Sequence, residues 1–269
     1  MRRIAFWIVL VVIIVITLFP LYWVISTSVK NLRDAFAMPP VWVFLPTFEN
    51  YDKVLHSSTF IRGFGNSLVV SLVSSGIALA LGSAAAYGIV QQDPQTRRSI
   101  ERFVLTLRIA PAILFVIPAY YLSSRLGLLN SYIVLIAVYS FVNLPFAISL
   151  MLTFLEEIPR ELREAGMVDG ASEFTIFWRI FMPVARGGIV ATFILCVLFT
   201  WNEFFIALVL SGRDTQTLPV TITSFLTYQG VEWGTLTAAA ALIMVPMLVL
   251  GMLVQSSVVR GMTLGSVKG

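Results

Sequence analysis

Six stretches of this chain are continuously apolar and long enough to cross a lipid bilayer. They lie at roughly 4–25, 66–90, 103–123, 131–154, 187–210 and 235–257. A spanning helix needs about 20 apolar residues, and the runs lack the in-out alternation of a membrane barrel. Because backbone polar groups in lipid must be satisfied within the protein, the sequence predicts an all-α, polytopic membrane protein with six transmembrane helices.

The composition leaves little room for anything else. Of 269 residues, 58% are hydrophobic and 12% are charged, against about 25% charged in soluble domains. We therefore expect a single membrane domain over residues 1–269. It divides into an anchor helix with an outer loop (1–65), a five-helix core (66–258) and a cytoplasmic tail (259–269). The first run is longer than the 7–15 apolar residues of a secretion signal, so we interpret it as a retained anchor.

The basic residues beside the runs predict the orientation. With the N-terminus inside, eleven Lys and Arg residues flank the runs on the cytoplasmic side and six on the outside, while Arg108 falls within the third run. Since basic residues favour the cytoplasmic side, both termini are predicted to be cytoplasmic in a multi-pass protein of the cytoplasmic membrane. This bias accounts for the net charge of +4, so the charge does not indicate a nucleic-acid partner.

The longest inner segment, 155–186, is predicted to form a short helix-turn-helix at 161–183. Pro159 suits a helix start, and Leu162, Ala165 and Gly166 recur on one helical face. Asp169-Gly170 is expected to end the first helix, because glycine tolerates a left-handed conformation.

Ser172 is predicted to cap the second helix. Four aromatic residues form the apolar stripe by which we expect this helix to pack on the membrane domain, and Pro183 is expected to end it. The stripe consists of Phe174, Phe177, Trp178 and Phe181.

Two simpler interpretations of this segment are a DNA-binding motif and a loop that only connects two spans. A DNA-reading helix-turn-helix needs a basic recognition helix, whereas the second helix here carries only Glu173 and Arg179 as charges. A connecting loop without a partner would need no particular spacing of residues.

The spacing is specific. Glu164-Ala165-Gly166, three residues, Gly170, nine residues, Ile180, one residue and Met182-Pro183 resemble the signature loop of ABC importer membrane subunits, written EAA-x3-G-x9-I-x-LP. Gly166 and Met182 depart from that pattern.

Further motifs extend the resemblance over nearly the whole chain, to the carbohydrate-uptake, maltose-type subfamily and its smaller permease. They are Phe48-Glu49-Asn50-Tyr51, Asn143-Leu144-Pro145-Phe146, Ile158-Pro159, Trp201-Asn202-Glu203 and the ending Gly261–Gly269.

The resemblance implies the type I ABC importer transmembrane fold and a defined set of partners. These are a second homologous permease subunit, two cytoplasmic ATPase subunits that hold ATP and Mg, an extracytoplasmic solute-binding protein, a carbohydrate substrate and the lipid bilayer. It also implies that the signature loop couples to an ATPase. The coupling residues are then Glu161, Arg163, Glu164, Ala165, Gly166, Asp169, Gly170, Ala171, Phe177, Ile180 and Pro183.

Catalysis by the chain itself is not expected, and neither is a bound cofactor or metal. No GxxxxGK[ST] phosphate loop occurs. The single histidine, His56, lies in a predicted outer loop, and the single cysteine, Cys196, lies in an apolar run. ATP hydrolysis would therefore belong to partner subunits.

Ionisable and polar residues inside the runs are candidates for a substrate pathway, because they are costly in lipid and usually face protein or water. Asn143, Trp201, Asn202 and Glu203 form this set. Glu203 would equally suit a structural partner of another helix, and Arg108 could extend its charge to the interface.

Three other functions remain open. The chain could serve an ABC importer of a non-carbohydrate solute. An ion-coupled secondary transporter usually has more spans and inverted repeats, and a membrane scaffold or enzyme subunit would need no docking loop of this spacing.

Overall fold

A computed structural model of the chain describes residues 2–227 and 230–264, and the side chains from 3 to 225 and from 231 to 255. The described chain is almost entirely helical, which confirms the all-α prediction. Its helices are α1 Arg2–Ser28, α2 Leu32–Ala35, α3 Glu49–Leu55, α4 Ser58–Val90, α5 Pro94–Ile109, α6 Ile113–Arg125, α7 Tyr132–Glu156, α8 Arg160–Val168, α9 Glu173–Ile176, α10 Met182–Val184, α11 Arg186–Asn202, α12 Phe205–Leu210, α13 Leu218–Thr221 and α14 Trp233–Leu264.

Shorter elements join these helices. A π-turn at Phe177–Phe181 links α9 to α10, and a 3-10 turn at Ile222–Phe225 follows α13. A pair of two-residue antiparallel strands, β1 Leu226–Thr227 and β2 Gly230–Val231, places Leu226 opposite Val231. The predicted first outer loop contains two short helices, α2 and α3, rather than only irregular chain.

The chain divides into two compact units, residues 1–64 with 220–246 and residues 65–219 with 247–269. These units are defined by contacts within the chain and do not test the predicted single membrane domain. Within the first unit, the amide of Asn50 donates to the carbonyl oxygens of Ser28 and Lys30 at 3.0 and 2.8 Å and so ties α3 to the end of α1. α1 itself is apolar along its length, and its most apolar window buries no residue against the rest of the chain.

The second unit is built around α7, which packs against α5, α6 and α11. Where α7 meets α4 the contact is made by small residues. Gly82 lies against Ala147, and the Ser140 hydroxyl donates to the carbonyl oxygen of Ser74 at 3.3 Å. Such residues let two helix backbones approach closely in a membrane protein.

The six predicted spans correspond to four single helices and two bent helix pairs. α1, α4, α7 and α14 are each long and apolar enough to cross a membrane, and two further pairs qualify only if each bent pair is one span.

The third predicted span, 103–123, is broken in the structure. Helix α5 begins at Pro94, nine residues before the predicted start, and meets α6 at an angle of 76°. Pro111 lies in the break, and proline can neither donate to the preceding turn nor continue it without a clash. The third span is therefore two helices that share a proline break.

The fifth span also differs from its prediction. The helix predicted at 187–210 stops at Asn202 and resumes at Phe205, and a bend of 80° separates α11 from the segment Glu173–Val184 that precedes it. The sixth helix continues to Leu264, so residues 259–264 of the predicted tail are helical. Of the predicted tail, residues 265–269 lie outside the described residues.

Candidate functional site

The segment between α7 and α11 forms the predicted helical hairpin. Helix α8 begins after Pro159 and ends at Val168, and Gly170 follows with φ +77°. Ser172 then accepts from the backbone N–H of Thr175 at 3.3 Å and caps α9. The glycine turn and the serine cap were both predicted from sequence, and both are confirmed.

Gly166 holds the two halves of the hairpin together. It is buried, and a side chain at this position would meet Ile176 and Ile180 at 3.1 Å each. Gly166 is one of the predicted coupling residues, and it faces the second half of its own hairpin. Ala165 is the small residue that stays exposed.

A charged tie fixes the hairpin to the membrane helices. Glu173 pairs with the guanidinium of Arg163 and accepts from the Tyr87 hydroxyl of α4 at 2.5 Å. Hydrogen bonding from Arg163, and then from Tyr87, lowers the pKa of the Glu173 carboxyl below its usual 4.5. Glu173 therefore joins α8, α9 and α4 in its charged form.

Apolar packing completes this attachment. Ile176, Phe177 and Phe181 are buried in a cluster with Tyr87 and with residues of α7. The Tyr87 ring lies 5.2 Å from Phe177 and 4.9 Å from Phe181, measured between centroids. The second half of the hairpin is thus part of the second unit's core.

Two residues predicted to pack on the membrane domain do not do so. Phe174 and Trp178 are 71% and 54% exposed, so only half of the predicted aromatic stripe packs. The helical segment ends at Val184, one residue after the predicted end at Pro183, and Pro183 is exposed. The π-helical turn before Pro183 accommodates this proline, because it removes the need for the N–H that proline lacks.

Most of the remaining coupling candidates lie on the side of the hairpin that does not pack against the membrane helices. Glu161, Glu164, Ala165, Asp169 and Gly170 are exposed, whereas Arg163, Ala171 and Ile180 are half-buried. The exposed group is acidic and small, and it projects from a hairpin whose other side is fixed.

A second feature lies where the fifth span breaks. A cavity of about 270 Å³ opens between α5, α7, α11 and α12, and its lining mixes aromatic and polar side chains. The rings of Phe146 and Phe199 meet edge to face with centroids 4.8 Å apart, and the guanidinium of Arg108 lies 4.7 Å from the centre of the Phe146 ring. A cationic side chain over an aromatic face is an attractive contact.

Glu203 lies at the break. Its carboxylate accepts from the backbone N–H groups of Phe205 and Ile206 at 2.9 and 2.8 Å, which caps α12, and from the Tyr139 hydroxyl at 2.8 Å. A carboxylate that accepts the first N–H groups of a helix also interacts favourably with its dipole. Glu203 therefore has a structural part as well as a place in the cavity wall.

The four predicted pathway residues separate into two pairs. Asn143 and Glu203 line the cavity, and the Asn143 amide donates to the Thr200 hydroxyl at 2.7 Å. Trp201 is buried away from the lining, and Asn202 donates to the carbonyl oxygen of Leu198 at 2.8 Å. Sequence reasoning missed Tyr139, Phe146, Phe199 and Thr200 as lining residues. Their spacing around Asn143 and Glu203, at about one helical turn, was the available signal.

The fold and the hairpin define a membrane component of a solute transport system, and comparison with known proteins agrees. Residues 76–264 match the family described as binding-protein-dependent transport system inner membrane component, and the chain belongs to this family. Its members are membrane subunits rather than enzymes.

Two relatives are similar over nearly their whole length. A probable ABC transporter permease protein of Sinorhizobium fredii is 36% identical, with 93% of this chain and 90% of the relative covered. The diacetylchitobiose uptake system permease protein of Streptomyces coelicolor is 31% identical, with 96% and 95% covered.

Among solved structures, one of a bacterial ABC transporter involved in the import of alginate superposes with a TM-score of 0.79. It is 21% identical and covers 95% of both chains. This likeness concerns the fold, and it confirms the predicted type I ABC importer transmembrane architecture.

Proposed function

We propose that this chain is one of two homologous permease subunits in an ATP-driven importer that carries a sugar, a polyol or a related carbohydrate across the cytoplasmic membrane by alternating access. The diacetylchitobiose permease and the carbohydrate-type motifs of the sequence support the substrate class. An importer of another solute with the same architecture is the second candidate. An external solute-binding protein would deliver the substrate.

The hairpin Arg160–Val184 is the coupling element in this proposal, and its two-sided construction is the observation that carries it. One side is fixed to α4 and α7 by Glu173, Phe177 and Phe181, whereas the other side exposes Glu164 and Ala165 next to the Gly170 turn. A movement imposed on the exposed side is therefore passed to the spans. The ATP and Mg that drive it would be bound by two cytoplasmic ATPase subunits.

Valine in place of Gly170 tests the coupling role. The φ of +77° at Gly170 is unfavourable for a branched residue, at a cost of about 1–3 kcal/mol. We expect Gly170→Val to insert normally and to lose both uptake and substrate-stimulated ATP hydrolysis by the assembled importer.

The chain offers a matched control in Gly127, which has φ +67° and open space around its Cα but lies between α6 and α7. Gly127→Val imposes a similar strain and should keep the stimulated ATP hydrolysis. Normal uptake by Gly170→Val, or equal losses in both variants, would count against the coupling role.

The proposed orientation places both termini and the hairpin in the cytoplasm and His56 outside. Cys196 is fully buried, so a cysteine introduced at the surface can be labelled selectively. In intact cells, we expect a membrane-impermeant maleimide to label His56→Cys but not Glu164→Cys until the membrane is opened. The reverse pattern would overturn the orientation.

The cavity beside Glu203 is the proposed substrate pathway. Phe146 and Phe199 offer aromatic faces for the apolar side of a sugar ring, and Arg108 supplies hydrogen-bond donors at the same wall. Tyr139, Asn143 and Glu203 already hydrogen-bond within the protein, so we assign them to the shape of the cavity. Uptake competition with a sugar and polyol panel, compared between the wild type and Arg108→Gln, tests this. An unchanged substrate preference would remove Arg108 from the pathway.

A further inference from the structure

A basic cleft opens beside the start of the coupling hairpin. Its volume is about 280 Å³, and it lies between the first two turns of α5, the last residue of α7 and the first residue of α8. Three arginines, Arg97, Arg98 and Arg160, and two glutamates, Glu101 and Glu156, line it, which gives a net charge of +1.

The three arginines differ in their partners. Arg97 pairs with Glu101, Nε to Oε1 at 2.7 Å, and also with Glu156. Arg97 therefore neutralises both glutamates and connects α5 to α7. Among the described residues, no hydrogen bond or ion pair engages the guanidinium of Arg98 or of Arg160. These two positive groups remain available to a ligand.

The start of α8 at the cleft has no side-chain cap. Pro159 precedes this helix, and Glu161 is the acidic residue of its first turn. The first N–H groups of a helix carry partial positive charge and attract anions. At α5, by contrast, Asp93 accepts from the N–H groups of Gln95 and Thr96, so that end is already satisfied.

Along α5, the surface beyond the cleft carries one further arginine, Arg102, and then apolar side chains, which indicates what kind of anion fits. Leu105 and Ile109 are 47% and 83% exposed and lie seven and eleven residues beyond Arg98, on the same helical face. Arg98 and Ile109 are thus separated by about 16 Å along the helix. Arg102 lies on this face between them. A charged head at Arg98 with hydrocarbon along Leu105 and Ile109 matches a phospholipid rather than a soluble phosphate.

We propose that the cleft binds the phosphate of an anionic phospholipid headgroup, with Arg98 and Arg160 as its ligands and the acyl chain along α5. Basic pockets between membrane helices at the cytoplasmic face are suited to such headgroups. The lipid would join α5 to the first residue of the hairpin, so the lipid composition would set how firmly the hairpin is held. The proposal rests on the proposed function only for the side of the membrane on which the cleft lies.

The test uses the complete importer, with all its partner subunits, in vesicles of phosphatidylcholine alone and of phosphatidylcholine with phosphatidylglycerol. We expect phosphatidylglycerol to raise substrate-stimulated ATP hydrolysis. Arg98→Gln should need about fivefold more phosphatidylglycerol for the same stimulation, since one basic residue near an anionic surface contributes about that factor. Native mass spectrometry of the complex should show less retained phosphatidylglycerol for this variant.

Arg186→Gln is the matched control, because Arg186 is an exposed arginine at the start of α11 that does not line the cleft. An equal response of Arg98→Gln and Arg186→Gln would mean a general effect of surface charge and would overturn the site. Stimulation of the phosphatidylcholine sample by inorganic phosphate would overturn the lipid assignment in favour of a soluble anion. Equal uptake with and without phosphatidylglycerol would refute the lipid site and leave the proposed function intact. Absence of uptake in both kinds of vesicle would count against the proposed function.

Discussion

Two glutamates of the second unit, Glu173 in the hairpin and Glu203 at the break in the fifth span, are held in similar ways with different results. Each accepts a hydrogen bond from a tyrosine of a neighbouring span, Tyr87 at 2.5 Å and Tyr139 at 2.8 Å. Glu173 also pairs with the cation of Arg163. Glu203 instead accepts two backbone N–H groups of α12.

The two glutamates therefore have different roles: Glu173 attaches the hairpin to the membrane helices, and Glu203 stabilises the backbone between two helical segments. The charge of Glu173 is balanced by an arginine and sits at the protein surface, where one ion pair contributes about 0–1 kcal/mol. Around Glu203 the hydrogen bonds also determine the backbone, because the carboxylate stands where two helical segments meet. Loss of Glu203 should therefore disturb the fold, and loss of Glu173 mainly the transfer of movement.

The largest effect is expected at Glu203. Glu203→Ala removes the cap of α12 and leaves the buried Tyr139 hydroxyl without its acceptor, at a combined cost of about 2–4 kcal/mol. We expect a lower unfolding temperature of the purified importer and a loss of uptake of about tenfold or more. Glu203→Gln keeps one acceptor oxygen and should lie between this variant and the wild type. If Glu203→Ala unfolded at the same temperature as the wild type, the proposed structural role of Glu203 would be refuted.

The two tyrosines give the next comparison. Tyr139 is 2% exposed and donates to a carboxylate in the cavity wall, so Tyr139→Phe should lose about 1.5–3 kcal/mol, as for hydrogen bonds to charged groups. Tyr87→Phe should lose less, because Glu173 keeps Arg163. Thermal unfolding of both variants in the same detergent measures the difference, and a larger loss in Tyr87→Phe would reverse the comparison.

The smallest effect on stability is expected at the ion pair of the hairpin. Arg163→Glu should lower stimulated ATP hydrolysis and change the unfolding temperature little, since the pair is partly exposed. The double variant Arg163→Glu with Glu173→Arg restores opposite charges and should recover part of the activity. Without such recovery, Arg163 would act by contact with a partner and not by holding Glu173.

Sequence reasoning predicted those parts of the fold that local chemistry determines. Continuous apolar runs located the spans, glycine tolerance located the turn at Gly170, and a serine before an acidic residue located the cap at Ser172. Each of these depends on one residue and its immediate neighbours, so each is visible without the fold.

The errors arose where orientation around a helix axis decides the outcome. Gly166 belongs to the signature spacing, but only the fold shows that it faces Ile176. Phe174 and Trp178 share an apolar pattern with Phe177, and hydrophobicity alone does not distinguish a residue in the core from one on an exposed face. For the same reason the sequence does not show that Trp201 and Asn202 lie outside the lining of the cavity beside Glu203.

The contact between α4 and α7 has a mechanical consequence. Gly82, Ala147, Ser74 and Ser140 form a smooth seam of small side chains. Nearer the hairpin this seam ends, because large side chains of both helices, Tyr87 and Met151 among them, share one core. Interlocked side chains resist sliding because each must leave its hole before the helices can shift. A smooth seam favours shear, in which packed helices slide by small amounts. Around Gly82 and Ala147, α4 and α7 therefore resist sliding less than they do beside the hairpin, where large side chains pack between them.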